Sequence, residues 1–461
     1  MAAGAQQQPP AVFDPAAIES FRFLDRRLGA DGTVELDYAL DRELRFTERV
    51  TLPVAAPLSE EQISEAQGLL ALLHWTAGVS YFKAALPGTI ECESPAPGPA
   101  AATLLEALYS EGLGELAYRN GLKELPRPRF PRAAEGSSAL ASPSAPGTEP
   151  RRILVPVGGG KDSAVALEIV RRSGVETALF SVGDAPPIAR TVAVAGLPHL
   201  IARRQLDSLL FELNAAGAIN GHVPVTAIVT CVALLTAQLN GFDAVAMANE
   251  RSASAGNLSW DGIDVNHQFS KSLVAERLLS AAVAEQDAKV RQFSVLRPAS
   301  ELGIARAFAG FDEYHGAFTS CNAIFRIDPA LRASSWCLDC PKCRFVFLAM
   351  APFSSPAHLR EIFGADLLGE DDQFEGFALL AASGGHKPFE CVGEEQESVA
   401  AMRLLADDER WREHAVVRRL TAEVLPSHPL PEGDPETVLA LGDDHDVPDR
   451  LMAEVRALLR A

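Results

Sequence analysis

The chain has 461 residues, and 61 acidic against 41 basic residues give it a formal net charge of −20. A surface that binds nucleic acid must be rich in Lys and Arg, so this charge argues against DNA or RNA as a partner and favours a small-molecule substrate. The length allows about two or three domains. Seven cysteines, four of them between positions 321 and 343, indicate a reduced, cytoplasmic protein with a metal site rather than a disulfide-linked one.

Residues 1–132 are predicted to form an α+β N-terminal domain, because strand-like and helical runs mix along them. The strand-like runs lie at residues 33–38 and 45–52, and the helical runs at residues 60–74 and 101–111. Residues 133–151 are rich in Ala, Ser, Pro and Gly. Such a composition offers little apolar surface to bury, so we predict a disordered linker.

Residues 152–365 alternate between strand and helix patterns, which predicts an α/β catalytic domain built on a doubly wound parallel sheet. Strands are expected at residues 153–157, 177–182, 199–202, 244–248 and 292–296, and helices at 225–239, 271–286 and 301–308. Ligands bind such sheets at the carboxyl ends of the strands. Residues 366–461 are acidic and rich in Leu and Ala, and we expect them to form a small helical C-terminal region.

Residues 213–242 contain no Asp, Glu, Lys or Arg, which raises the question of a membrane span. Glycine, Asn, His and Pro interrupt the first part of the stretch, and only residues 225–239 remain continuously apolar in character. A spanning helix needs roughly 20 apolar residues, so a helix buried inside an α/β domain is the better interpretation. The N-terminus also lacks the basic and apolar regions of a secretory signal. No membrane insertion is predicted.

A glycine-rich turn follows the first strand of the predicted catalytic domain, in the segment ILVPVGGGKDS. Consecutive glycines let the backbone approach a ligand, and the helix that follows offers phosphate oxygens its N-terminal N–H groups. The spacing fits neither a Walker A loop nor a dinucleotide-binding turn. The residues predicted to bind a nucleotide here are Gly158, Gly159, Gly160, Lys161, Asp162 and Ser163.

The string GGGKDS resembles the pyrophosphatase loop of the PP-loop ATP-pyrophosphatases, whose fold is that of the adenine-nucleotide α-hydrolases. The resemblance implies that ATP is cleaved between its α and β phosphates, with adenylation of a carboxylate or carbonyl of the substrate. Gly158 stands where that family usually has Ser, so one hydroxyl contact to phosphate is missing.

Polar residues follow the fourth predicted strand of the catalytic domain and continue into the next helix. Asn249 and Arg251 are expected to face the nucleotide, and Glu250 is a candidate for proton transfer or for binding Mg²⁺. His267 is a candidate general acid or base. Lys271 is a candidate to hold a carboxylate or phosphate, or to act in proton transfer. A capping or packing role for the single His is the alternative interpretation.

Two further loops are expected near the ligand. Arg297, Ser300 and Glu301 follow the fifth predicted strand and so line the same edge of the sheet. His386 and Lys387 lie on a glycine-flanked loop, which is either a lid over an anionic ligand or a surface turn.

Four cysteines have the spacing of a metal site. Cys337, Cys340 and Cys343 form a C-x2-C-x2-C run, and Cys321 precedes it on an upstream segment. Four thiolates complete the tetrahedral coordination of Zn²⁺ and leave no open position for catalysis, so structural zinc is the favoured prediction. An iron–sulfur cluster is the competing use of the same ligands.

Nine segments between residues 13 and 393 share the pattern of one family. They are HWTAGVSYFKAALPG, GLGELAYRNGL, GGGKDS, GHVPVTAI, ANERSASAGN, VNHQFSK, LRPASEL, SSWCLDCPKCRFVFLAMAPF and HKPFECVGE. Together they resemble the MurL-type UDP-N-acetylmuramoyl-L-alanyl-L-glutamate epimerases, most strongly over residues 153–353. The resemblance implies that glycine is usual at position 158 in this group.

The resemblance implies an ATP- and Mg²⁺-dependent isomerase of peptidoglycan precursor synthesis. Its substrate is UDP-MurNAc-L-Ala-L-Glu, whose terminal glutamate is adenylated and inverted to D-glutamate with release of AMP and diphosphate. For the two faces of the glutamate we nominate His267 and one of Glu250, Lys271 or His315.

Two alternatives stay open on the sequence. The cysteine spacing also matches PP-loop enzymes of the cyano-deazaguanine type, which form nitriles or amides and need a nitrogen donor. A non-catalytic nucleotide sensor is the other alternative, although Asp162 and Ser163 are both present.

Overall fold

The computed structural model describes residues 12–93, 95–133, 149–260, 262–325, 330, 332–383 and 385–460. Most of the predicted linker, residues 134–148, lies outside this described part. Over the described residues the protein is α/β, as predicted, with a nine-strand sheet and a separate two-strand sheet.

The strands, in chain order, are β1 (Ser20–Leu28), β2 (Thr33–Leu40), β3 (Leu44–Thr51), β4 (Thr89–Cys92), β5 (Arg152–Pro156), β6 (Glu176–Val182), β7 (His199–Gln205), β8 (Ala244–Met247), β9 (Leu258–Trp260), β10 (Ile263–Val265) and β11 (Arg291–Ser294).

The α-helices are α1 (Glu60–Glu65), α2 (Gln67–Ala77), α3 (Val79–Phe82), α4 (Pro99–Leu108), α5 (Gly114–Arg119), α6 (Lys161–Arg172), α7 (Pro186–Ala195), α8 (Ser208–Ala216), α9 (Val225–Leu239), α10 (Leu273–Glu285), α11 (Glu301–Phe308), α12 (Asp312–His315), α13 (Pro341–Met350), α14 (Pro356–Phe363), α15 (Phe374–Ala378), α16 (Glu395–Asp407), α17 (Ala415–Arg419), α18 (Pro435–Leu439) and α19 (Asp449–Leu459).

Every strand and helix predicted between residues 152 and 365 is confirmed. The five strands are β5, β6, β7, β8 and β11, and their ends differ from the predicted ones by at most three residues. Helices α9 and α11 have the predicted bounds, and α10 is slightly shorter than predicted. The strands β1 and β4 belong to the predicted α+β segment but were not expected individually.

The chain forms two compact units that do not follow the chain continuously. The first contains residues 1–150, 200–245 and 259–292, and the second contains residues 151–199, 246–258 and 293–461. Parts of the segment predicted as one catalytic domain therefore cluster with the N-terminal residues. The four-part domain division stays a prediction.

The first unit is built on an antiparallel arrangement. Strand β2 pairs antiparallel with both β1 and β3, while β4 pairs parallel with β1. Residues 203–205 of β7 pair antiparallel with β3. The sequence did not predict this antiparallel pairing. Strand β3 alternates between buried and accessible residues, so one of its faces packs against the core.

The core of the first unit is rich in aromatic residues with hydrogen-bonded polar tips. Tyr38 stacks on Tyr81 with ring centroids 4.9 Å apart and donates its hydroxyl to the carbonyl of His74 at 2.9 Å. Beside them, the guanidinium of Arg204 donates to both carboxylate oxygens of the fully buried Glu48, at 2.7 and 3.0 Å. Burial of these charges is tolerated because they pair in two-point geometry.

Helix α9, in the first unit, confirms the interpretation of the uncharged stretch as a buried helix. Its 15 residues, Val225–Leu239, have the predicted bounds, and most of them are buried. Among the described residues, no helix has the length and apolar character needed to cross a membrane.

The second unit places a helix directly after its first strand. Strand β5 pairs parallel with β6, from Arg152 beside Glu176 to Pro156 beside Phe180. The chain then turns at three glycines into α6, which packs against α11 and α19. Helix α11 packs in turn against α13 and α16. The doubly wound PP-loop topology stays a prediction, but the predicted strand–glycine–helix order is confirmed.

Candidate functional site

The phosphate loop, residues 158–163, has the backbone conformation that its glycines require. Gly159 has φ of +79°, and a Cβ there would lie 2.6 Å from the backbone carbon of Pro187. A Cβ at Gly160 would lie 2.8 Å from Oγ of Ser320, whereas one at Gly158 would meet nothing within 4 Å. Glycine is thus required at position 159 by both conformation and space, and position 158 faces open space.

The first N–H groups of α6 lie at the end of this loop. The N-cap residue is Gly160, and no side chain caps the helix. The Ser163 hydroxyl donates to the Gly160 carbonyl at 3.0 Å, which braces the turn. An uncapped helix N-terminus behind glycines fits an anion such as a phosphate, because its N–H groups and the helix dipole favour negative charge.

Lys161 is held in a buried ion cluster. Its ammonium is fully buried and contacts the carboxylates of Asp162 and Glu301. Burial alone would lower the pKa of Lys161, but the two carboxylates raise it above its usual value, so the side chain stays charged. The ammonium therefore organises the base of the loop.

Glu301 is the centre of the same cluster. It is the first residue of α11, and the ammonium of Lys342 lies 3.6 Å from its second oxygen. Burial and the negative charge of Asp162 raise the pKa of Glu301, while Lys161 and Lys342 oppose that rise. Two lysines thus compensate a carboxylate that would otherwise be costly to bury.

A second buried carboxyl, Glu397 on α16, contacts this cluster through the backbone. One of its oxygens accepts the Ser252 hydroxyl at 2.6 Å and the Glu301 N–H at 2.7 Å. The other oxygen accepts the Glu394 N–H at 2.6 Å. Burial raises the pKa of Glu397 to about 7, and the nearby Glu301 acts in the same direction.

The loop after β8 contains three of the predicted ligand residues. The Asn249 amide donates to the Ser294 hydroxyl at 3.0 Å. Glu250 is 1% exposed, and its Oε1 has no hydrogen-bond partner among the described residues. A buried carboxylate oxygen without a donor is costly, so it indicates a place for a cation or water.

Arg251 lies differently from the expectation that it binds the nucleotide. Its guanidinium donates to the carbonyls of Val438 and Ala440, at 3.0 and 2.9 Å. In this geometry the side chain anchors the segment around α18. A role in nucleotide binding stays a prediction.

The glycine-flanked loop with His386 and Lys387 borders a cavity of about 440 Å³ in the second unit. Glu394, Glu395 and Glu432 also line it. Burial lowers the pKa of Lys387, although nearby carboxylates such as Glu397 oppose the change. Because carboxylates outnumber the one ammonium, the cavity suits a polar ligand with donor groups better than a simple anion.

In the first unit, His267 forms a short contact with Glu115 on α5. Its Nδ1 lies 2.5 Å from Oε2 of Glu115, and the ring of His222 lies 4.3 Å from its own ring, centroid to centroid. The pKa of Glu115 is lowered: burial opposes the change, and the hydrogen bond and charge of His267 outweigh it. Lys271 lies near this group and donates to the Gln268 side chain at 3.2 Å.

His315 has a different environment, in the second unit. Its Nε2 lies 3.0 Å from the Phe308 carbonyl and its Nδ1 lies 2.7 Å from Nε2 of His358. Nε2 must donate to that carbonyl, so Nδ1 accepts the proton of His358. Both nitrogens are engaged, an arrangement typical of a structural histidine. A role in proton transfer stays a prediction that this geometry does not favour.

The four predicted metal ligands lie together in the second unit. The sulfurs of Cys321, Cys337, Cys340 and Cys343 are all within 4.8 Å of one another, and none forms a disulfide. Cys340 caps α13 and accepts the N–H of Cys343 at 3.4 Å. Hydrogen bonds from Cys340 and Cys343 hold the pKa of the Cys321 thiol well below its usual range. The donor set fits one tetrahedral metal ion.

Several residues in these clusters were not identified from the sequence. They are Glu115, His222, Ser252, Lys342 and Glu397. Glu115 and His222 do lie inside two of the motifs that support the family resemblance, GLGELAYRNGL and GHVPVTAI. The motifs marked these two residues as part of the family pattern. Their positions in the sequence did not indicate that they would contact His267.

Comparison with known proteins gives a consistent result along the chain. Residues 12–295 match the family model described as the MurL N-terminal domain, and residues 317–432 match the MurL C-terminal domain. Three relatives bear the name UDP-N-acetyl-alpha-D-muramoyl-L-alanyl-L-glutamate epimerase.

The relative from Micromonospora sp. is 46% identical over 91% of this chain and 93% of its own. The one from Salinispora tropica is 48% identical over 84% of this chain and 85% of its own. The one from Xanthomonas oryzae pv. oryzae is 42% identical over 97% of this chain and 99% of its own.

The buried carboxyl of Glu397 predicts a pH-dependent stability. Its pKa rises from 4.5 to about 7 on folding, so the folded state holds a proton that the unfolded state loses between these values. Raising the pH through this window therefore destabilises the protein, by about 3 kcal/mol in total. In Glu397→Gln no proton is lost, so the wild type should lose stability relative to this variant between pH 5 and pH 8.

Urea unfolding of both proteins at the two pH values measures this change. Glu409→Gln replaces an exposed carboxyl and serves as the control. It should change the free energy of unfolding equally at both pH values. A difference between wild type and Glu397→Gln that does not vary with pH would contradict the assignment.

Proposed function

Because this chain belongs to the MurL family, we propose that it inverts the terminal L-glutamate of UDP-N-acetylmuramoyl-L-alanyl-L-glutamate to D-glutamate. The observation that carries this proposal is the 42–48% identity to three proteins of that name over most of the chain. The enzyme would then be an isomerase of peptidoglycan precursor synthesis whose substrate is a small, soluble nucleotide conjugate.

The chemistry of the substrate explains why a nucleotide is needed. The α-proton of a free glutamate lies beside a carboxylate, and a carbanion formed there would sit next to an existing negative charge. Adenylation of that carboxylate by ATP removes the charge and gives an acyl group that accepts electrons as an enolate. A base can then remove the proton and an acid can return it on the opposite face. Hydrolysis releases the epimer and AMP, and diphosphate leaves in the adenylation step.

The phosphate loop is the proposed site for the phosphates of ATP. Its support is the uncapped start of α6 and the glycine at position 159 that the turn requires. Asp162 and Glu250 are the proposed ligands of Mg²⁺, a cation that prefers carboxylate oxygens. The unpartnered, buried oxygen of Glu250 supports this role.

For proton transfer we propose His267, whose imidazole contacts a carboxylate in the first unit. Lys271 lies near the same histidines. Glu250, in the second unit, stays a candidate for proton transfer as well as for binding Mg²⁺. His315 remains the least suited of the nominated residues, because both its ring nitrogens are already engaged.

The first prediction from this proposal concerns the role of ATP. Substrate and Mg-ATP should give D-glutamate, AMP and diphosphate together, and Asp162→Ala should lower all three rates by about 100-fold or more, because the cation and phosphates lose a ligand. Chiral analysis of glutamate after hydrolysis of the product measures epimerisation, and chromatography measures AMP and diphosphate. Epimerisation at the wild-type rate in Asp162→Ala would contradict the ATP-dependent mechanism.

Two neighbouring glycines provide a matched pair for the same assay. Gly159→Ala should abolish the activity, since the new Cβ meets Pro187 and φ is +79°. Gly158→Ala should stay within about threefold of wild type, since the space there is open. Equal losses in both variants would contradict the proposed geometry.

Product formation that requires ammonia or glutamine would favour the nitrile- or amide-forming alternative.

A second prediction concerns His267. If it transfers the α-proton, His267→Gln should slow exchange of that proton with deuterated solvent by about 10²- to 10⁴-fold. Release of diphosphate should continue, because adenylation precedes proton removal, and this release is the internal control for an intact nucleotide site. Unchanged proton exchange would remove His267 from the mechanism.

A third prediction concerns the four clustered cysteines, which we propose bind structural zinc. Elemental analysis should find about one zinc ion per chain, and Cys340→Ser should lose it and unfold at a lower temperature. Cys231→Ser, at a buried cysteine outside the cluster, should keep the ion. Bound iron with visible absorption would show instead that the thiolates hold an iron–sulfur cluster.

A further inference from the structure

We infer that Glu115 is a positioning residue that fixes which nitrogen of His267 exchanges a proton. The inference deepens the proposed function, since it rests on His267 as the residue that transfers the α-proton. Glu115 itself would not touch the substrate. It would act through the imidazole, as the carboxylate does in a carboxylate–histidine pair.

Each of the two carboxylate oxygens of Glu115 has a partner that fixes its position. It is 5% exposed and lies on α5, where its Oε1 accepts from Nε of Arg119 at 2.6 Å and its Oε2 lies 2.5 Å from Nδ1 of His267. The carboxylate form is the stable one, because the pKa of Glu115 is lowered despite burial. An ionised carboxylate only accepts hydrogen bonds, so Nδ1 of His267 must be the donor.

This requirement selects one tautomer of His267. When the ring is neutral and Nδ1 carries the proton, Nε2 is the nitrogen with the lone pair. Nε2 is therefore the atom that can take a proton and return it. The negative charge of Glu115 also stabilises the imidazolium that forms when Nε2 is protonated.

The neighbouring histidine is kept in a different state. Burial and the nearby His267 together lower the pKa of His222 to about 4, so it is neutral at physiological pH. Its ring bonds to the backbone of His267 and lies 4.3 Å from the His267 ring, centroid to centroid. The charged groups around His267 are thus Glu115 and Arg119 on α5, and Lys271, which lies four residues after His267 in the chain.

A metal ion would be the other use of these three side chains, since their donor atoms all lie within 4.8 Å of one another. The hydrogen bonds favour the positioning role. Both oxygens of Glu115 are already engaged, one by Arg119 and one by Nδ1 of His267. A cation would have to displace a guanidinium or an imidazole that compensates the same carboxylate.

The test replaces Glu115 by Gln, which keeps the shape and a hydrogen-bonding oxygen but removes the charge. Glu111→Gln removes an equal charge from an exposed position four residues earlier and is the matched control. Two readouts are needed: NMR titration of the His267 ring, and kcat and KM for the epimerisation with its pH profile. The first is independent of any enzymatic activity.

In Glu115→Gln the titration midpoint of His267 should move to lower pH by about 1 unit or more, since the imidazolium loses its counter-charge. The acidic limb of kcat/KM should move in the same direction, because His267 works as a base only when neutral. The value of kcat should fall by about 10- to 100-fold with little change in KM, and Glu111→Gln should match the wild type in all respects.

Three outcomes would overturn the inference. The first is an unchanged titration midpoint of His267 in Glu115→Gln. The second is a loss of kcat with no shift of the pH profile, which would indicate a purely structural role. The third is a second metal ion per chain that disappears in His222→Ala. If the titration shifts but wild-type protein does not epimerise the substrate, the pairing stands and the proposed function fails.

Discussion

A buried ammonium at the first residue of α6 is the constraint on which the second unit depends. Lys161 has no access to water, so it must be compensated by protein groups, and Asp162 and Glu301 supply that compensation. Glu301 opens α11, Lys342 lies on α13, and Glu397 on α16 accepts the Glu301 N–H. One charge thus sets the positions of four helix segments around the phosphate loop. Removal of Lys161 would leave the buried Glu301 with only Lys342, at 3.6 Å, to compensate it.

This constraint also explains what the sequence could and could not predict. The strand, the glycines and the helix of the phosphate loop are local features, visible in eleven consecutive residues. Helix α9 was predicted to the residue because its apolar run is bounded by Pro224 and by Asn240. The partners of the charged groups are not local: Lys161 and Glu301 are separated by 140 positions and Glu115 and His267 by 152. No spacing rule connects residues so far apart.

The two clusters differ in their physical character. In the second unit, Asp162 and Glu301 compensate the buried Lys161 and raise its pKa, so its ammonium stays charged near neutral pH. In the first unit, two imidazoles contact each other and one carboxylate. Imidazole is the side chain whose unperturbed pKa lies closest to neutrality, which suits a group that must gain and lose a proton. The proposed phosphate loop and the proposed proton-transfer histidine therefore belong to clusters of different character.

The packing of α19 against α6 has a consequence for the order in which the protein assembles during synthesis. Arg450 on α19 donates to the carbonyl of Ser173 at the end of α6, a residue 277 positions earlier. At the usual rate of translation, roughly 15 to 55 seconds separate the emergence of these two residues from the ribosome. The phosphate loop is thus made well before the helix that packs against α6, and over that interval the surface of α6 that α19 covers lacks this partner.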